Sequence, residues 1–353
     1  MGLAPHTGIR QGCPLSPYLF IMVLTVNLAD VDETLRRQGV PTNTWSVGKP
    51  TYDVEYADDT PLLALTTSQL QSLLQSVQSA ASPYGLALNS QKTELLLHPL
   101  HPNPMVYFTD GSQVPVKDSI KYLGTQVTWP KPTNHAIAAR KQKAHIAYVA
   151  LQNVWRSQLP VNTRVRLFHS YILPVLLYGL ASCTLEKHHH RTLDAWYFKY
   201  LRRVVGIKAS YFSHISNYKV WVAAAKPSLP SQLLLQQQFQ LLHHAMTTPP
   251  GDPMHHVVFA PAFKDRIRFT KSVHRGHPAR YWFEVSTQAL EAMQHFISST
   301  HDVALVGWRK DFLGLKQLFS YSPPFWRYLS TAPTRTPQVF QLFQKHVGGA
   351  WRT

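Results

Sequence analysis

Two cysteines, Cys13 and Cys183, are too few for a disulfide framework or a cysteine zinc site. No apolar stretch reaches the ~20 residues a membrane helix needs. The longest near the start, Leu19–Leu28, is interrupted by Thr25 and Asn27 and has no basic flank of signal-peptide type. The expectation is therefore an intracellular soluble protein. Internal repeats and low-complexity tracts are also missing. Carboxylates are scarce, but only in the back of the chain. Residues 131–353 hold 8 Asp+Glu against 28 Lys+Arg, whereas residues 1–130 hold 10 against 7.

What is present follows from that imbalance. The formal net charge is +17 over 353 residues, and an excess of this size points to an anionic partner, most often nucleic acid. A mildly acidic front and a basic back suggest a cation-holding site beside a phosphate-holding surface. A solvated basic face that maintains solubility is the plainer alternative. Histidines cluster at His188-His189-His190, His243-His244 and His255-His256, but without the regular ligand spacing of a zinc site.

Local patterns divide the chain near Trp129–Pro132. In front, residues 17–38 follow Ser16-Pro17, a helix-starting pair, and stop at Gly39. Tyr52, Val54 and Tyr56 alternate like a half-buried strand, and the run Pro61–Leu65 reads as its hairpin partner. Leu70, Leu73, Leu74 and Val77 predict a helix over 68–83, ended by Gly85. Leu86–Leu88 and Glu94–His98 read as strands around Asn89-Ser90. Met105–Phe108 and Gln113–Val116 read as a hairpin on Asp110-Gly111. Behind the boundary, helices are predicted at about 133–157, 161–185, 189–206 and 228–247. After Pro249 only short helical patches are discernible.

Tyr56-Ala57-Asp58-Asp59 sets two adjacent carboxylates at a hairpin tip, with neutral Thr60-Pro61-Leu62-Leu63 after them. Such a pair suits a hard divalent cation held by one or two carboxylates plus substrate phosphates; an ordinary acidic turn is the alternative. Gly8-Ile9-Arg10-Gln11-Gly12-Cys13-Pro14-Leu15-Ser16-Pro17 combines glycines that allow close backbone approach with donors for phosphates or base edges, then a helix start. Alone, it could equally be a helix-capping loop.

Taken together, these segments resemble reverse transcriptases of the non-LTR (LINE-type) retrotransposon kind. Gly8–Pro17 is similar to the motif that holds incoming nucleotide and template, and Tyr56–Asp59 to the polymerase hairpin. Gly85-Leu86-Ala87-Leu88-Asn89-Ser90-Gln91-Lys92-Thr93 is similar to the following palm motif, and Tyr122-Leu123-Gly124 to the primer-grip turn. More weakly, Tyr171–Gly179 and Leu201–Gly206 resemble the helical region after the palm. The resemblance covers about residues 2–225.

It implies an α+β fold: part of a right-hand polymerase palm over 1–130, a helical thumb over 131–225, and an unassigned basic tail over 226–353. It implies an RNA-directed DNA polymerase that uses Mg²⁺ and dNTPs on an RNA template with a DNA primer. Asp58 and Asp59 would be the metal-side carboxylates. Arg10, Gln11 and Gly12 would contact nucleotide or template, Lys92 would lie near the triphosphate, and Tyr122, Leu123 and Gly124 would position the primer. Lys92 also reads as a solvated surface charge. Arg140, Lys141, Lys143, Arg202 and Arg203 are candidate phosphate contacts. Basic residues from Lys264 to Arg280 are interleaved with Phe263, Phe269, Tyr281 and Trp282, although a place in the core is the safer reading for any one ring.

The family's metal-bridging aspartate and its fingers precede the nucleotide-binding motif, and none of the nine residues before Arg10 is acidic. The chain as given is therefore expected to be a truncated, inactive polymerase. The alternative is a non-catalytic nucleic-acid-binding remnant of such an element.

Overall fold

Leu28, Val31 and Leu35 recur at helical spacing and give the first helix, α1 (Ser16–Arg37), one buried face. The computed structural model describes residues 12–39, 56–57, 59–64, 66–97, 105–129 and 132–249. Pro17 sits in the first turn of α1, where its missing N–H costs nothing, but Ser16 does not cap the helix with its side chain. α2 (Thr67–Ala81) is capped by reciprocal bonds between Thr66 and Gln69, at 3.2 and 3.3 Å. Leu73 and Val77 of α2 pack on the buried face of α1, and Tyr84, just after α2, donates to Asp30 of α1 at 2.5 Å.

A second face of α2 carries Leu74 against Leu95, Val106, Phe108 and Val114. Its glutamines also bond the backbone beside that cluster. Gln71 both donates to and accepts from Tyr107 at 2.7 Å, and Gln78 accepts from the Thr109 amide at 3.0 Å. The hairpin expected on Asp110-Gly111 is present, with Tyr107 opposite Gln113 and Gly111 at φ +83°. The pairing expected between Leu86–Leu88 and Glu94–His98 is not. The Asn89 side chain accepts from the Gln91 and Lys92 amides and turns the chain helically. β1 (Leu95–Leu96) then runs parallel to β2 (Val116–Lys117) instead. β3 (Ser119–Tyr122) and β4 (Thr125–Thr128) form a separate two-stranded sheet.

The chain divides into two units within this last hairpin. The described residues of the front unit are those up to 122 together with 128–129; the helical unit holds 123–127 and 132–249. The helices of the second unit are α3 (Pro132–Ala150), α4 (Gln152–Arg156), α5 (Val161–Leu167), α6 (Leu173–Leu177), α7 (Lys187–Val205), α8 (Ser210–Ser213), α9 (Asn217–Ala223) and α10 (Pro230–Thr247).

Two long helices expected from the sequence are broken. The first is interrupted at Leu151, which leaves helical geometry at φ −98° and ψ 20°. The second widens into a π-helical turn, Phe168–Ile172, just before Pro174. Proline lacks the N–H an α-helix needs there and crowds the preceding turn, which accounts for the widening. Gly179, at φ +71°, ends that segment; a β-carbon on it would lie 2.6 Å from the Thr125 hydroxyl, so only glycine fits.

Among the described residues the helices share a large apolar cluster. Tyr148 stacks on Trp155 at 5.2 Å, and Phe168 meets both rings edge-on at 6.1–6.2 Å. Leu229 and Leu234 belong to the same core, which therefore continues past residue 225. No helix among the described residues is long and apolar enough to cross a membrane.

Candidate active site and nucleic-acid interface

In the front unit the chain reverses between Tyr56 and Asp59, whose backbones exchange two hydrogen bonds of 3.0 Å. A two-residue reversal of this kind requires positive φ, and Ala57 supplies it at +56°. An L-residue with a β-carbon is strained there by about 1–2 kcal/mol. The turn holds the Asp59 side chain exposed; Asp58 lies outside the described residues, as do Arg10, Gln11 and the expected strand residues Tyr52 and Val54.

Asp59 and the first residue of the primer-grip-like turn are neighbours. Burial raises the Tyr122 hydroxyl above the usual tyrosine range, and the negative charge of Asp59 raises it further. Lys92 is exposed in the Asn89 turn and makes no ion pair among the described residues. Gly12 is exposed at φ +86° with open space around it, so its backbone angle, not crowding, explains the glycine. Beyond it, the Cys13 thiol is held below its ordinary value, first by a backbone bond from Leu15 and then by the Ser16 side chain, as expected where helix amides converge.

No group of three His, Cys, Asp or Glu side chains among the described residues is placed to share a metal. An exposed carboxylate such as Asp59 is the kind of ligand that magnesium takes, because that ion keeps several waters and adds oxygens from substrate phosphates.

In the helical unit, Leu123 and Gly124 of that turn are held by side chains of the helices. Tyr178 donates its hydroxyl to the Leu123 carbonyl at 2.9 Å, and Arg140 donates to the Gly124 carbonyl at 2.7 Å. The Arg140 guanidinium lies 4.4 Å from the centre of the Tyr178 ring. Lys143 reaches the same Gly124 carbonyl more loosely, at 3.4 Å. Leu123 and Gly124 both have positive φ, +44° and +74°, a tight reversal these bonds hold in place.

The basic residues expected to meet phosphates therefore divide into two groups. Arg140 and Arg202 are buried. Arg202 bonds the Ile215 carbonyl at 2.7 Å and the Asn217 side chain at 2.8 Å. Each guanidinium braces a loop of its own chain, so neither serves as a surface phosphate contact. Lys143 and Arg203 are exposed and Lys141 is half-buried, which leaves their cations accessible.

Sequence reading gave no role to two buried polar pairs in this unit. His169 bonds the Tyr197 hydroxyl at 2.8 Å, and burial depresses its pKa to about 4. Asp194 accepts from the Ser231 amide and hydroxyl at 3.1 and 2.7 Å; burial nevertheless raises its pKa to about 6. A lone Asp or His in a sequence carries no sign of the burial that shifts it.

Comparisons with known proteins bear on the front of the chain. Residues 1–127 match the model of the reverse transcriptase (RNA-dependent DNA polymerase) family. A transposon-derived protein of Caenorhabditis elegans is 29% identical over 163 residues, which is 45% of this chain and 58% of that protein. The chain thus spans little more than half the length of that relative. No solved structure matches it. The front of the chain is similar to reverse transcriptases, and the match to the nematode protein links it to transposon-derived sequences.

Proposed function

We propose that this chain is part of the reverse transcriptase of a non-LTR, LINE-type retrotransposon. Residues 1–130 would be palm, and the helices from Pro132 the thumb, continued through α10 because Leu229 and Leu234 share the same core. The observation that carries the reading is the Tyr56–Asp59 reversal, which leaves the Asp59 carboxylate exposed and close enough to Tyr122 to act on its hydroxyl. Asp58 and Asp59 would hold magnesium, which when bound neutralises charge on the transferring phosphates. Around it, Arg10, Gln11 and Gly12 would orient nucleotide and template, and Lys92 would face the leaving pyrophosphate. Tyr122, Leu123 and Gly124 would carry the end of a DNA primer on its RNA template. Arg140 and Tyr178 hold the last two of these residues in register, so their effect on the primer is indirect.

A second reading, nucleic-acid binding without catalysis, is favoured by the helical unit. Residues 132–249 carry fourteen Lys and Arg against two carboxylates, Glu186 and Asp194, an imbalance that owes nothing to the acidic pair.

One experiment addresses both. Iron(II) replaces magnesium in a complex of the 353-residue chain with an end-labelled RNA–DNA primer-template, and peroxide then generates radicals where the metal sits. Cleavage focused at the primer 3′ end, lost in Asp58→Ala and Asp59→Ala, is the expected result. Uniform cleavage, unchanged in those variants, overturns the polymerase reading and leaves binding alone. In parallel, primer extension with Mg²⁺ and dNTPs is assayed on the same chain. Robust extension abolished by Asp58→Ala would show that these residues suffice for catalysis.

A further inference from the structure

Between Asp194 and Asp252 the sequence has no Asp or Glu but six Lys and Arg. Within that stretch, the loop from α7 to α9 is anchored at both ends. Ile207 and Ile215 pack on the apolar core, and Arg202 bonds Ile215 and Asn217. His214, at φ +51°, turns the chain back after the single helical turn α8.

At the apex of this anchored loop, Tyr211 is 82% exposed and Phe212 is 72% exposed. The two rings meet edge to face at 5.3 Å, which leaves ring faces open to solvent. A chain that needed only a solvated loop would place polar residues there. Exposing two adjacent rings costs hydration free energy and creates a sticky surface. Lys208 and Lys219 flank the pair in sequence, and both are exposed.

We propose that Tyr211 and Phe212 form a stacking platform for single-stranded nucleic acid, with Lys208 and Lys219 contacting its backbone. Every base offers a π-face, so aromatic stacking tolerates any sequence, and lysines supply the sequence-independent attraction. Charge complementarity selects this occupant over a protein. The described part of the unit has only two carboxylates: Asp194 is buried against Ser231, and Glu186 caps α7. The site does not depend on the polymerase reading, because it uses none of the residues assigned to the acidic turn or the primer.

Fluorescence anisotropy with a labelled single strand of about 20 nucleotides, as RNA and as DNA, tests it on the full 353-residue chain. The Tyr211→Ala/Phe212→Ala variant is expected to bind either strand about 10- to 100-fold more weakly. Its salt dependence should stay as in the parent, because no cation is removed. Lys208→Ala/Lys219→Ala should instead flatten the log–log salt slope by about 0.7 for each phosphate that is no longer neutralised. Tryptophan at both ring positions should restore binding.

Both rings are exposed, so circular dichroism should be unchanged in every variant. Parent-like binding by the double alanine variant overturns the proposal. So does full binding by a double leucine variant, which keeps apolar area without rings and points to a protein occupant. Dissociation of a parent dimer by the alanine pair would identify a second copy as the occupant and would also overturn it. Iron cleavage at the primer end should survive the alanine pair, so this proposal and the polymerase reading can fail separately.

Discussion

In the helical unit twenty-four buried residues, from Ala136 to Leu234, join a single apolar core. Among the described residues the front unit has two clusters of five on two faces of α2, and along α1 Tyr18, Ile21, Met22 and Val26 stay half or more exposed. The acidic turn and Lys92 lie on the unit with the smaller described clusters, while the primer-grip-like turn is divided between the two, Tyr122 in one and Leu123 and Gly124 in the other. The larger core, in turn, accommodates costly features: a buried aspartate that accepts two hydrogen bonds from Ser231, a buried histidine and a π-helical turn. Burial of apolar area scales the stability available to offset such costs. The front unit has less to draw on, and its own strained feature, Ala57, sits at an exposed turn where little packing is involved.

The largest expected effect tests whether the two cores are unequal. Phe168→Ala, at a fully buried ring, should destabilise the helical unit by about 3–5 kcal/mol. Leu35→Ala should cost the front unit about 2 kcal/mol, the low end for such changes, because a small cluster collapses more easily. Urea unfolding followed by far-ultraviolet circular dichroism should show two transitions, each shifted by only one substitution. A single transition shifted by both would erase the distinction.

A smaller effect concerns pH and the helical unit alone. Asp194 has its folded pKa raised to about 6, so between about pH 4 and 6 the folded state keeps a proton the unfolded chain releases. Stability falls as pH rises through that window, by at most roughly 3 kcal/mol at ~1.4 kcal/mol per pK unit. His169 and His189 run the other way. Burial lowers each to about 4, with His188 adding to the effect at His189. The unfolded chain gains their protons below about pH 6.5, and stability falls as pH drops. Two histidines outweigh one aspartate, so acidification should destabilise the unit, and Asp194→Asn should steepen that fall between pH 6 and 4. An unchanged slope in urea midpoints would show that Asp194 is not shifted upward.

The smallest effect lies in the front unit. Ala57→Gly removes the β-carbon strained at φ +56° and should raise that unit's stability by roughly 0.5–1 kcal/mol. The gain should appear in the first urea transition and leave the second in place.

Much of the fold was legible because it rests on local physics. The helix over 68–83, the Asp110-Gly111 hairpin and the helix over about 189–206 follow from periodicity and from residues that tolerate positive φ. Readings failed where a distant contact or a single side chain decides. Leu86–Leu88 is not a strand, because the Asn89 side chain turns the chain and Leu95 finds Val116 instead. Arg140 and Arg202 look like surface cations in sequence, yet in the fold each fills a buried position and bonds a backbone carbonyl. Of the site, the acidic turn and the Tyr122 turn were identifiable as motifs. That Asp59 acts on Tyr122, and that Tyr178 grips Leu123, were not.

By itself the sequence determined the order of the motifs, the asymmetry of charge and the positions of most helices, since composition, spacing and backbone preference act over a few residues. Only the tertiary structure decided which cations are exposed and which are braces, and which carboxylate is pushed toward neutrality. Those outcomes depend on what packs around a side chain, and residues far apart in sequence supply that packing.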